Sequence, residues 1–85
     1  RKEFFIAWDE NELPGSNQAH CMACQRHGFT PSYVATGKKL GNVLMLMQRF
    51  DALALTSQSI SRTLPKDFRI IPLENSDDSF GLVCA

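Results

Sequence analysis

Runs of strand-favouring residues alternate along this chain with stretches whose apolar residues recur at helical spacing, and no other feature restricts its fold as strongly. Residues 3–8, with Phe4, Phe5, Ile6 and Trp8, have the bulky apolar pattern of a strand covered on both faces. Polar residues 9–15 follow and end in the turn signal Pro14-Gly15. Ser16 or Asn17 is placed to cap a helix reaching about His27. Gly28 suits a left-handed helix stop, and Phe29 is expected to pack inward behind it. Pro31 keeps the helix from resuming, and residues 32–36, with Tyr33, Val34 and Thr36, form a second strand. After a turn at 37–39, the helix over 38–50 puts Leu40, Val43, Leu44, Met47 and Phe50 on one face, which Met45 and Leu46 widen. A strand at 52–55, a short helix at 57–64 stopped by Pro65 and a strand at 68–73 come next. A polar turn at 74–78 and a last strand at 80–84 complete the pattern. The order β-α-β-α-β-α-β-β predicts an α/β fold, a mostly parallel sheet with flanking helices.

Eighty-five residues form one small domain at most, and an apolar share of 44% is enough to expect a packed core rather than disorder. Nine basic residues balance nine acidic ones. With no net charge and no basic cluster, the chain has no electrostatic means of holding a phosphate backbone. The longest apolar run, residues 43–47, is far too short for a membrane span, and the first residues lack the pattern of a secretory signal. Three cysteines, an odd number, argue against a disulfide framework and point to a reducing compartment, so the cytoplasm is the expected location.

Some segments invite a chemical reading. Cys21 and Cys24 form a Cys-x-x-Cys pair, and His20, Cys24 and His27 would share one helix face. Structural zinc needs a second pair of ligands, however, and Cys84 stands alone. Redox pairs of this kind open a helix, whereas this one falls in mid-helix, so Cys24 reads as a small buried hydrophobe. The acidic residues Asp9, Glu10 and Glu12 read as a solvated loop, and Asp77-Asp78 as turn residues. Trp8 suits either the wall of a cleft or packing against the first helix, while Met45 and Met47 read as core. No Gly-x-Ser-x-Gly elbow, P-loop or Gly-x-Gly-x-x-Gly is present, so a non-enzymatic chain with no cofactor and no metal is expected.

The stretch Cys24-Gln25-Arg26-His27-Gly28-Phe29-Thr30-Pro31 resembles the helix stop of the effector domains of bacterial LysR-type transcription regulators. Residues 43–55 are similar to that family's next helix-and-strand unit, residues 64–73 to its return segment, and residues 80–84 to the strand that re-enters the other lobe. Gln48-Arg49-Phe50-Asp51, where the family has small residues, and Thr56, where it commonly has proline, mark a divergent branch. The resemblance implies a periplasmic-binding-protein-like (type 2) lobe. On this reading residues 1–85 are a single partial effector-binding domain, with 1–73 mostly one lobe and 74–85 a return strand towards the other. It implies a small-molecule effector, contact with DNA only through a missing N-terminal domain, no membrane, and a homo-oligomer.

Ligands of open α/β sheets gather at the carboxyl ends of parallel strands, where helix N-termini present free N–H groups. Three segments are expected there: Ser16 and Asn17 opening the first helix, Thr36, Gly37 and Lys38 opening the second, and Thr56 and Ser57 after the third strand. The effector cleft implied by the resemblance is lined by the same turns. A small carboxylate would suit hydroxyls, backbone N–H groups and the Lys38 ammonium. Against this stands the plain reading, in which Ser16, Asn17 and Thr36 are caps and Lys38 is solvated. Two other functions remain open: a lobe of an exported solute-binding protein, and a small thiol or metal protein using Cys21 and Cys24.

Overall fold

The computed structural model describes residues 3–72 and 80–84. Strand β1 (Phe4–Trp8) lies in the middle of the fold and sends alternate side chains to opposite sides. Ile6 and Trp8 enter one cluster with Val43, Leu44, Met47, Ala52, Ala54 and Val83. Phe5 enters another, with Cys24 and Leu55, against which Phe29, Leu82 and Phe80 pack. Helices α1 (Ser16–Arg26) and α2 (Leu40–Phe50) supply Cys24 to the second cluster and Val43, Leu44 and Met47 to the first. A helix therefore covers each side of the strand layer, which is why residues 4–8 are apolar almost throughout.

The helix stop at Gly28 follows the sequence expectation. Gly28 adopts φ 89°, its N–H donates to Gln25 O at 3.1 Å, and Phe29 N–H donates to Cys24 O at 3.2 Å. These are the paired bonds of a Schellman stop, and the following residue packs inward as such a stop requires. The Phe29 ring stacks on Phe5 with centroids 6.0 Å apart. The start of α1 differs. Gly15, at φ 78°, occupies the cap position, and no side chain caps the helix. Asn17 is diverted to the end of β1, and Ser16 is already inside the first turn. In α2 the expected face is buried at Val43, Leu44 and Met47, but Met45 is 57% exposed and Phe50 44%. Met45 thus belongs to the solvent side and not to the core; of the two residues expected to widen the face, only Leu46 packs against it.

Strand β2 (Ser32–Gly37) pairs with β1 in parallel. Strand β3 (Ala54–Ser57) begins two residues later than expected, because Leu53 makes a parallel bridge to Phe5. Ile6 N–H donates to Leu53 O at 2.8 Å and Leu53 N–H to Phe4 O at 2.9 Å. Strands β4 (Arg69–Pro72) and β5 (Phe80–Cys84) pair antiparallel, and β5 pairs antiparallel with β3 on its other edge. The described strands form a two-stranded parallel sheet and a three-stranded antiparallel one. The mostly parallel sheet is corrected to a mixed arrangement, and the cause is β5. Only residues 73–79 separate it from β4, too few for the crossover that parallel pairing needs. Because β3 and β4 both oppose β5, they run the same way as each other. The expected turn at 74–78, with Asp77-Asp78, lies outside the described residues, as do Leu73 and Ala85 of the adjoining segments.

The expected short helix at 57–64 is a 3₁₀ helix (Gln58–Thr63). Its hydroxyls bind local backbone, with Ser57 Oγ accepting from Ser59 N–H at 3.3 Å and Thr63 Oγ1 donating to Ile60 O at 2.7 Å. Such bonds compete with regular α-helical pairing. The outcome is a small α/β domain with mixed sheets.

Candidate ligand-binding site

The carboxyl ends of β1 and β3 and the start of α1 meet around a hollow of about 390 Å³. Trp8 closes β1 there, Thr56 and Ser57 close β3, and Ser16 opens α1. Phe80 belongs to the same end because β5 begins opposite Ser57. Leu13, Leu40 and Ile60 complete the apolar wall, and His20 joins it from the second turn of α1.

Each polar group in this wall has a definite state. Trp8 donates its indole N–H to Leu55 O at 2.7 Å, so the ring contributes surface without an unmet donor. His20 is only 6% exposed and packs edge-on against Phe80, with ring centroids 4.7 Å apart. Burial pushes its pKa down to about 4, which leaves the imidazole neutral at neutral pH. Thr56 is 8% exposed. Neither His20 nor Thr56 hydrogen-bonds through its side chain to another described residue. Ser16 Oγ is buried and likewise has no partner among them. Buried polar groups are normally satisfied, so the unpartnered Ser16 Oγ at the hollow calls for a reason.

Asn17 has a different task. Its Oδ1 accepts from Trp8 N–H at 2.9 Å, and its Nδ2 donates to Trp8 O at 2.6 Å and to Glu10 Oε2 at 2.8 Å. The side chain extends the end of β1 as another strand residue would, and locks α1 onto it. Glu10 also accepts from Gly15 N–H at 3.0 Å, so its carboxylate already occupies the positive end of α1. Asp9 accepts from Asn11 N–H at 2.7 Å. Asp9 and Glu10 are therefore members of an ordered loop.

Of the seven residues singled out in the sequence, Ser16, Thr56 and Ser57 line the hollow, while Asn17 braces its rim. Thr36, Gly37 and Lys38 do not line it. Thr36 and Lys38 are exposed, and Lys38 N–H donates to Asn42 Oδ1 at 3.1 Å in the turn before α2. Gly37 is where α2 meets β2, and a Cβ there would lie 2.5 Å from Val43 Cγ2 and 3.0 Å from Val43 N. Its glycine permits close packing.

His20 lies in the wall although it is outside the set of residues expected from the sequence, where it stands beside the Cys-x-x-Cys pair. Its fifth place in α1, one turn beyond Ser16, puts it on the same helix face. The cysteines themselves are free thiols. Cys24 is wholly buried, and burial, reinforced by Cys21, pushes its thiol up to about 11, away from the thiolate that redox or metal chemistry uses. Among the described residues, no three His, Cys, Asp or Glu side chains gather as a metal site.

A second hollow, of about 300 Å³, lies at the opposite ends of the strands between Glu3, Phe29, Leu53 and Leu82. It contains none of the expected site residues. Among the described residues, no helix is long and apolar enough to cross a membrane. No protein-family model, curated protein or solved structure matches the chain.

Proposed function

We propose that this chain is the effector-sensing part of a bacterial LysR-type transcription regulator, and that the hollow at β1, α1 and β3 is one wall of its small-molecule cleft. One observation carries this reading. Ser16 Oγ, buried and without a hydrogen-bond partner among the described residues, faces a single hollow at the strand ends together with His20 and Thr56. That is where α/β sheets receive ligands.

The finer fold belongs to the same proposal. Strands β3 and β4 share a direction with β5 reversed between them, and Leu53 bridges in parallel to β1. This pattern supports a periplasmic-binding-protein-like (type 2) lobe. A second lobe would close over the wall, and the shift would pass to a DNA-binding domain elsewhere in the parent protein. Zero net charge leaves phosphate contact to that other domain. The chain acts by binding and performs no chemistry. Its free thiols suit the cytoplasm. Among the described strands, β2 pairs with β1 alone and exposes Tyr33 and Val34, an edge suited to a second copy in a homo-oligomer.

Trp8 is the single tryptophan and lines the hollow, so its fluorescence reports occupancy. Titration with short carboxylates, amino acids, sugars and simple alcohols is expected to give a saturable change with at least one class. A flat response to all of them counts against the site. The upstream coding sequence is expected to encode a helix-turn-helix. A secretion signal there would favour an exported solute-binding lobe instead.

A further inference from the structure

The hollow's chemistry is more specific than a generic cleft. We infer that it takes an uncharged small molecule with an apolar body and one hydrogen-bonding group, the body against Trp8, Leu40 and Phe80 and the polar end at Ser16, His20 and Thr56. This inference rests on the reading of the hollow as the ligand site and adds the class of ligand.

Charge is the deciding feature. Among the described residues, no lysine, arginine, aspartate or glutamate lines the hollow. Lys38, the cation expected to meet a carboxylate, is exposed in the turn before α2 and outside the lining. The start of α1, the other source of positive potential, is already taken by Glu10, which accepts from Gly15 N–H and Asn17 Nδ2. An incoming carboxylate would find no counter-ion among the described lining residues and would lose its hydration. An ammonium would find hydroxyls, a neutral imidazole and aromatic faces, and no carboxylate among the described lining residues.

The polar groups present suit an uncharged partner. Ser16 and Thr56 hydroxyls each donate or accept, and a neutral imidazole has one nitrogen for each role. Together they satisfy a hydroxyl, an amide or a carbonyl. A dry cavity of roughly 150 Å³ holds a benzene ring, so this hollow has room for one ring and a substituent.

Three probes of nearly equal shape separate the possibilities: benzyl alcohol, benzoate and benzylamine. Each is titrated at pH 7.5 into the isotope-labelled 85-residue chain, with NMR shifts followed at Ser16, His20 and Thr56. Benzyl alcohol is expected to shift these residues saturably, with the two ions binding at least about tenfold more weakly. An ion that binds at these residues as tightly as the alcohol overturns the inference and leaves the site standing. Failure of all three to shift these residues overturns the site and the inference together.

Discussion

The hydroxyl of Ser16 is buried in the first turn of α1 with no partner among the described residues, and leaving it so costs free energy in the empty protein. Ser16→Ala removes that cost and adds a better helix former. It is expected to raise stability in denaturant melts by about 1 kcal/mol while weakening ligand binding. A loss of stability would mean that the hydroxyl is satisfied within the fold. His20 makes the opposite kind of contribution. Its folded pKa, near 4, is below its ordinary value of 6.5, so the unfolded chain binds the proton more readily. Its contribution is complete above pH 6.5 and is lost as pH falls towards 4. The urea midpoint of the wild type should drop across that window, and His20→Gln should show a shallower drop. Equal slopes would show that the ring is not held neutral by burial.

At the scale of elements, some features were legible because they depend on near neighbours. Gly28 and Phe29 form the stop of α1, and the spacing of Val43, Leu44 and Met47 marks the buried face of α2. The start of α1 was not legible. Asn17 looks like a cap, but its side chain is claimed by Trp8, nine residues earlier, and Gly15 takes the cap position with positive φ. Met45 was misplaced for a related reason. Hydrophobic character alone does not separate it from Met47, two residues along and on another face of the helix. The two methionines provide a direct comparison. Met47→Ala is expected to cost about 2–5 kcal/mol and Met45→Ala to stay within about 0.5, measured by chemical denaturation. Similar losses at both positions would contradict the placement of α2.

For the molecule as a whole, the alternation of strands and helices was readable, but the partner of β5 was not. Pairing between β5 and β3 joins Ala54 to Val83, across a distance in sequence that no local pattern reports. Val83 is 1% exposed and belongs to the same cluster as Met47, so β5 is part of the core as well as the link between β3 and β4. A chain ending at residue 79 is expected to lose its cooperative thermal transition, and retention of a sharp transition would show β5 to be dispensable. The same strand places Phe80 beside His20 and Ser57, and so completes the hollow. Part of the candidate site was legible in Ser16, Thr56 and Ser57. His20 and Phe80 were not, because it is tertiary pairing that brings them together.

The central claim is that ligand enters at the carboxyl ends of β1 and β3 and not at the apolar hollow on the opposite side. Intermolecular nuclear Overhauser effects from bound benzyl alcohol test this most directly. Contacts to the Trp8 and Phe80 rings and the Thr56 methyl group are predicted. Contacts to Phe29, Leu53 and Leu82 in their place would contradict it.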